Sequence, residues 1–280
     1  MPSNDSSERT TQTQSALAGY PNLAFHEEKV LIVVKTYPHP STKYKEIVCT
    51  AGVTEQGKWI RLYPIDYRYL EHAKWYKKYQ WVNVTIEKNQ EDFRVDSYRP
   101  DTQSIKTLGD PIDTRRNWEA RKNLILPTIT FNSLEEIQDA YKSSSVSLGI
   151  FKPKIIEDFV MEADSENWSA SHTKVLNQLV LFGDQPKELH KVPYKFSYVY
   201  RCNDKRCTKS HKQAIFDWEI FMLYQNLKDQ YHYSMDVVLQ KMKDKWLGQM
   251  WQPSKNSYLI VGTQFPNPTF IVLGVFWPPK

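Results

Sequence analysis

The chain has 280 residues and a formal net charge of +5, from 37 Lys and Arg against 32 Asp and Glu. This balance allows a polyanionic partner, but it is less basic than is usual for a protein that coats DNA. Its 3 Cys are too few for a disulfide framework, and no stretch reaches the roughly 20 apolar residues of a membrane-spanning helix. We therefore expect a soluble, cytoplasmic protein without a membrane segment.

The N-terminal part of the chain changes from a polar segment to a series of strands. Residues 1–24 are mostly polar, carry no signal-peptide run and predict a disordered tail. Short apolar segments then predict strands over 29–37, 46–53, 58–63 and 81–87. In the last strand, Val82, Val84 and Ile86 alternate with polar residues, which indicates that one face of the strand is exposed to solvent. A short helix is predicted over 66–77.

Most predicted helices lie in the middle and at the end of the chain. Capping and stop signals predict helices over 113–124 and 133–141, the second with a capping box formed by Ser133 and Glu136. After a strand within 150–161, the predicted elements are a strand over 196–201, helices over 210–229 and 234–251, and strands over 258–261 and 270–276.

This order of elements predicts an α+β fold with a mostly antiparallel sheet or a small β-barrel, against which the helices pack. The predicted divisions are the tail at 1–24, a strand-rich region at 25–161, and a region at 162–280 that carries a Cys/His loop, two helices and the closing strands. A single domain over 25–280 is the alternative.

The best candidate site is formed by Cys202, Cys207 and His211. Two thiols separated by four residues can reach one ion across a tight turn, and zinc prefers thiolate and imidazole ligands. The spacing therefore predicts a zinc knuckle. The sequence does not choose the fourth ligand among Cys49, His172, His190 and His232. The alternative is that both cysteines are small buried residues and the histidine is a surface group.

The same loop is basic, with Lys205, Arg206, Lys209 and Lys212 around the predicted start of a helix. Free backbone amides at a helix N-terminus attract anions, so this loop predicts a contact with phosphate groups of a nucleic acid. The alternative is a basic loop that is simply solvated.

A second candidate surface lies in the third predicted strand, where Trp59, Arg61 and Tyr63 share one face because side chains alternate along a strand. Two rings beside a guanidinium group resemble a surface on which bases stack. The alternative is a sheet face that another element covers, with Arg61 paired to an acid.

Glu219 is the acid of greatest interest. On the helix predicted over 210–229 it falls between two apolar arcs, whereas Asp217 falls on the polar stripe. A buried carboxylate must be paired, protonated or bound to a metal. Glu219 is thus a candidate catalytic acid or base, and the alternative is a structural salt bridge to Arg61 or Arg68.

Together these features favour a nucleic-acid-associated binding protein with a zinc knuckle. One alternative is a metal-dependent nuclease or phosphodiesterase in which Glu219 and His211 act in catalysis. Another is a protein-interaction module without a ligand. The common glycine-rich phosphate loops, the serine nucleophile elbow and the HExxH helix are absent from the sequence.

Overall fold

The computed structural model describes residues 25–41, 43–178, 188–264 and 268–280. The tail predicted at residues 1–24 lies outside the described residues. The fold is α+β, as predicted, and it contains a small closed barrel. No helix among the described residues is long and apolar enough to cross a lipid bilayer.

The first seven strands form one sheet that closes on itself. They are β1 (His26–Lys35), β2 (His39–Ser41), β3 (Lys45–Thr54), β4 (Trp59–Ile65), β5 (Trp81–Lys88), β6 (Ser97–Pro100) and β7 (Lys106–Leu108). The barrel order is β1, β3, β4, β6, β5, and pairing of β1 with β5 closes it. All of these pairs are antiparallel except β4 with β6, which is parallel. The four strands predicted in this region are confirmed as β1, β3, β4 and β5.

Alternation along the barrel strands sends one set of apolar side chains inward and another set outward. In β1, Val30 and Ile32 belong to the core inside the barrel, whereas Leu31 and Val33 belong to a different cluster. All four side chains are almost fully buried. The outer face of the barrel at β1 must therefore be covered by another part of the chain.

Beyond the barrel, the described residues form five α-helices and two three-stranded sheets. These elements are α1 (Arg115–Ile125), α2 (Leu134–Ser144), β8 (Leu148–Phe151), β9 (Ile155–Ala163), α3 (Ala170–Gln178), β10 (Tyr194–Arg201), β11 (His211–Ala214), α4 (Trp218–Gln225), α5 (Met235–Lys243), β12 (Tyr258–Gln264) and β13 (Thr269–Phe276). One sheet has the order β11-β10-β9 and the other the order β13-β12-β8. Two π-helical turns, Asn226–Gln230 and Asp244–Gln249, extend α4 and α5.

The sheet β13-β12-β8 covers the outer face of the barrel. Ile150, Ile260 and Leu273 of this sheet form one buried cluster with Leu31 and Val33 of β1. We call this buried contact between the barrel and the sheet β13-β12-β8 the seam. Because burial of apolar surface is the main favourable contribution to folding, the seam ties the barrel to the second half of the chain.

Most of the remaining predicted elements are confirmed. The helices predicted over 113–124, 133–141 and 234–251 correspond to α1, α2 and the extended α5, and the strands predicted over 196–201, 258–261 and 270–276 correspond to β10, β12 and β13. The strand predicted within 150–161 is two strands, β8 and β9. The short helix predicted over 66–77 is two separate 3-10 turns.

The helix predicted over 210–229 is wrong in its first part. Residues 211–214 form β11, which pairs with β10, and α4 starts only at Trp218 with Asp217 as its cap. Ile215 and Phe216 fit a helical period, but pairing with a distant strand overrides the local pattern. The free backbone amides of a helix start, on which the predicted anion site relied, are therefore not present at this position.

Candidate metal centre

The loop between β10 and β11 folds as a tight knuckle that brings Cys202 and Cys207 together. The backbone amide of Cys202 donates a hydrogen bond to Cys207 Sγ at 3.2 Å. Because β11 returns antiparallel to β10, its first residue, His211, lies beside the end of β10. His211 Nε2 is consequently 3.3 Å from Cys207 Sγ. The three predicted ligands thus meet, but on a hairpin and not at the start of a helix.

A fourth donor comes from the first turn of α2. Glu135 Oε1 lies 2.8 Å from His211 Nε2. The donor atoms of Glu135, Cys202, Cys207 and His211 all lie within 4.8 Å of one another. These four residues, which we call the Cys/His/Glu cluster, could hold a metal ion.

Two hydrogen bonds hold the start of α2 against the knuckle. Ser133 Oγ donates to Asp204 Oδ2 at 2.9 Å, and the amide of Leu134 donates to Cys202 Sγ at 3.4 Å. Ser133 also caps α2 by accepting from the amide of Glu136, as the capping box predicts. These contacts place Glu135 at the cluster.

Charge is incompletely balanced inside the cluster. Burial raises the pKa of the Cys202 thiol well above its usual value, and the neighbouring Glu135 carboxylate adds to this shift. Burial also opposes ionisation of Glu135, but hydrogen bonds from its own backbone amide and from the Cys202 and His211 side chains hold its pKa below the usual value. Glu135 Oε2 is buried and receives no hydrogen bond of good geometry. A bound cation would stabilise both the carboxylate and a thiolate.

The fourth member of the cluster, Glu135, was missed by sequence reasoning. The candidates named from the sequence lie outside the cluster: Cys49, His172, His190 and His232. Cys49, for example, lies in the barrel with its Sγ 3.5 Å from Arg61 Nη1. No spacing motif connects Glu135 to the knuckle, because it is 76 residues from His211 in the sequence.

The four basic residues predicted to bind nucleic acid differ in their surroundings. Lys205 and Lys209 are exposed at the knuckle, and neither forms a salt bridge within the described part of the chain. Arg206 and Lys212 are also exposed, but each lies 2.8 Å from a carboxylate oxygen. Of these four residues, only Lys205 and Lys209 therefore carry a positive charge without a nearby acid.

The aromatic and basic face predicted in the third strand is not at the surface. Trp59 and Arg61 are 6% and 3% exposed, and Tyr63 is half-buried. Trp59 Nε1 donates to Thr128 Oγ1 at 3.1 Å, and Arg61 Nη1 donates to the carbonyl of Thr263 at 3.0 Å. The prediction of an open stacking surface is corrected: the second half of the chain covers this face.

The predicted environments of Glu219 and Asp217 are reversed. The Glu219 side chain is 59% exposed, whereas that of Asp217 is 1% exposed. Because α4 begins only at Trp218, Asp217 is the N-cap residue of this helix, and its side chain is buried in the interior. Both acids pair with Lys78 and with neither predicted arginine. His211 belongs to the Cys/His/Glu cluster, so the two predicted catalytic residues lie in different clusters.

Two family models match the chain, and they meet at residue 127. Domain of unknown function DUF8758 matches residues 26–127, and Domain of unknown function DUF8757 matches residues 127–280, which include the whole Cys/His/Glu cluster. A search of the curated proteins found no match. The boundary predicted after residue 161 stays a prediction. Because the second match covers more than half of the chain, the protein belongs to the family described as Domain of unknown function DUF8757.

Proposed function

We propose that this protein is a cytoplasmic nucleic-acid-associated binding protein in which a zinc ion, held by the Cys/His/Glu cluster, fixes a basic knuckle. The observation that carries the proposal is the meeting of four donor atoms within 4.8 Å from two distant segments. Three free cysteines are also compatible with a reducing compartment.

The donor set suits zinc. Zinc bonds of about 2.0–2.3 Å place neighbouring donors about 3.3–3.8 Å apart in a tetrahedron, and Cys207 Sγ lies 3.3 Å from His211 Nε2. The hydrogen bond between His211 and Glu135 would give way to one metal bond from each residue. Four protein ligands would make the ion structural, because a catalytic zinc keeps one position open.

The nucleic-acid part of the proposal depends on Lys205 and Lys209. Both are exposed on the knuckle between the cysteine and histidine ligands. An ion that fixes the knuckle would fix the backbone beneath both ammonium groups and so lower the entropy cost of a phosphate contact. Zinc knuckles are among the modules that bind single-stranded RNA.

The barrel supports the proposed nucleic-acid association only through its overall architecture. A five-stranded barrel also occurs in the OB-fold, which binds oligonucleotides on the face of its strands 2 and 3. In this chain the second and third barrel strands are β3 and β4, and their outer side chains Ala51, Val53 and Trp59 are buried in the seam. We therefore assign the contact to the knuckle and not to the barrel face.

Metal analysis tests the zinc. Mass spectrometry of protein purified without a histidine tag is expected to find about one zinc per chain, because the four donors complete one tetrahedral site. The Cys202→Ser/Cys207→Ser variant is expected to lose the zinc, and Cys49→Ser, the matched control outside the cluster, is expected to retain it. Native protein without zinc, which also fails to take up added zinc, would overturn this part of the proposal.

Salt-dependent binding tests the partner. Fluorescence anisotropy with a labelled single-stranded RNA is expected to show binding that weakens as salt rises. In Lys205→Gln/Lys209→Gln the slope of log K against log salt should fall by about 1 per lysine removed. Lys106→Gln, an exposed lysine of β7, is the control and should bind as the native chain does. Equal RNA binding by the native chain and both variants would show that the knuckle does not contact the RNA.

A further inference from the structure

The two thiol groups of the Cys/His/Glu cluster lie close enough to react with each other. Both cysteines are free, and their Sγ atoms are within 4.8 Å of one another. A disulfide bond is about 2.05 Å long, so the sulfurs need to approach by less than about 3 Å. A change of rotamer at one cysteine moves its sulfur by a distance of this order. The knuckle therefore suits a disulfide as well as a metal ion.

The two thiols differ in their access to solvent. Cys207 is half-buried in an exposed loop, where Arg206 and Thr208 on either side of it are exposed. Cys202 is only 3% exposed, and its sulfur accepts a hydrogen bond from the amide of Leu134 at 3.4 Å. Oxidation of cysteines follows their exposure, so a small oxidant in water reaches Cys207 before Cys202. Cys202 is then the nearby thiol that can react with the oxidised sulfur.

The other two donors of the cluster already contact each other. His211 Nε2 lies 2.8 Å from Glu135 Oε1, and this contact involves neither sulfur. Cysteine binds metals as a thiolate, and a disulfide sulfur carries no such charge. If the two sulfurs join, the cluster keeps only an imidazole and a carboxylate, which can pair with each other. A disulfide would therefore remove half of the donors that a four-coordinate zinc needs.

We propose that a hydroperoxide oxidises Cys207, that Cys202 then closes a disulfide with it, and that this step expels zinc from the cluster. Cys49, the third cysteine of the chain, lies outside the cluster, so the reaction is confined to one pair. Disulfides of cytosolic proteins are usually transient and serve redox sensing or catalysis. The expulsion of zinc rests on the proposed function, whereas the disulfide needs only the two thiols.

Two steps account for the atoms and electrons. The Cys207 sulfur first attacks one peroxide oxygen: an S–O bond forms, the O–O bond breaks, and the other oxygen leaves with the thiol proton as water or an alcohol. The Cys202 sulfur then attacks the sulfenic acid on Cys207: the S–S bond forms, the S–O bond breaks, and the hydroxyl group leaves with the Cys202 proton as water. The two sulfurs lose two electrons and reduce one hydroperoxide. In the zinc-loaded cluster both sulfurs start as thiolates, and solvent supplies the two protons.

Treatment of the full chain with hydrogen peroxide, after incubation with zinc, tests the reaction. Trypsin cuts after Lys205 and Arg206, between the two cysteines, so the disulfide keeps two tryptic peptides joined until a dithiol reductant is added. Mass spectrometry is expected to find this joined pair in the oxidised protein, without the peptide of Cys49. A chromogenic chelator is expected to detect about one zinc released for each disulfide formed.

Single substitutions test the order of the two steps. Cys202→Ser leaves the more exposed thiol without its partner, so peroxide should leave a sulfenic acid on Cys207 that dimedone labels. Cys207→Ser leaves the buried thiol, and dimedone labelling of Cys202 should be several-fold weaker. Cys49→Ser is the matched control, because Cys49 is half-buried like Cys207 but lies outside the cluster. It should form the disulfide as fast as the native chain. Circular dichroism checks that each variant is folded.

The outcomes separate the peroxide reaction from the proposed function. If the chain holds zinc but peroxide joins no peptides, or joins them without release of zinc, the proposed reaction is overturned while the zinc site stands. If the chain binds no zinc yet forms the disulfide, the zinc site fails and the peroxide-sensitive pair stands. Stronger labelling of Cys202 in Cys207→Ser than of Cys207 in Cys202→Ser would overturn the assigned order. A chain that neither binds zinc nor forms the disulfide would overturn both proposals.

Discussion

At the scale of single residues, Glu135 would supply the fourth ligand of the proposed zinc site. Glu135→Gln keeps the size of the side chain and the start of α2 but removes the anionic donor. We expect the zinc affinity to fall roughly 10–100-fold, since even residues that only support metal ligands have effects of this order. Competition with a chromogenic chelator measures the change.

Glu136→Gln is the matched control for this substitution. Glu136 is the next residue of α2, but its carboxylate accepts from the amide of Asn132 and is not in the cluster. Its variant should retain the native affinity. If both variants bind zinc equally well, the carboxylate ligand assigned here is wrong and the site has only the three ligands of the knuckle.

Lys35 is expected to react with acylating reagents at lower pH than an ordinary lysine. Burial first, and then the charge of Lys78, lower its pKa to about 8, although Glu219 and Asp217 oppose the shift. The neutral amine, which is the nucleophile, therefore predominates above about pH 8. At that pH the neutral fraction is roughly 100-fold larger than for a lysine with a pKa of about 10.5.

Peptide mass spectrometry after brief acylation at several pH values measures this difference. Lys106, which is exposed on β7, is the internal reference in the same sample. Lys35 should be modified faster near pH 8, and its advantage should shrink as the pH approaches 10.5. A labelling rate that rises in parallel at the two lysines would show that the ammonium group of Lys35 is not perturbed.

At the scale of elements, the start of α2 connects helix stability to metal binding. Ser133→Ala removes the cap of α2 and the hydrogen bond to Asp204. Loss of such a cap costs about 0.5–2 kcal/mol, so we expect a decrease of this size in the free energy of unfolding, measured with urea. We also expect weaker zinc binding, because Glu135 follows the cap directly.

Ser143→Ala provides the comparison at the other end of the same helix. Ser143 is exposed and donates to the carbonyl of Asp139 within α2. Its loss should change the unfolding free energy little and the zinc affinity not at all. If the two serine variants behave alike, the contact between the helix start and the knuckle does not position Glu135.

Local patterns predicted most elements but not the one at the site. The strand predicted over 81–87 forms as Trp81–Lys88, because its alternation is a local property that the barrel preserves. At the segment 211–214, Ser210 and Gln213 are spaced like a capping box and locally favour a helix, whereas the strand pairing with β10 depends on residues far away in the sequence. Glu135 was missed for the same reason, since only the tertiary fold brings a carboxylate to a cysteine pair.

At the scale of the whole molecule, the seam makes the barrel depend on the second half of the chain. Leu31 and Val33 point out of the barrel and are buried only because the sheet β13-β12-β8 covers them. The same covering explains why the face of Trp59 and Arg61, which reads as a binding surface from the sequence, is interior. Alternation shows that two faces exist, but it does not show which of them another layer covers.

The fragment 25–127 is therefore expected to expose an apolar face when produced alone. It should bind a hydrophobic dye strongly and aggregate, whereas the full chain should not. Leu31→Thr/Val33→Thr makes this face polar while keeping good strand formers. In the fragment the double substitution should reduce dye binding. In the full chain it should lower the free energy of unfolding, by about 1.5–3 kcal/mol for each buried side chain lost. A fragment that stays monomeric and dye-free without the substitutions would show that the barrel needs no cover, and the seam would then be an interface between two independent units.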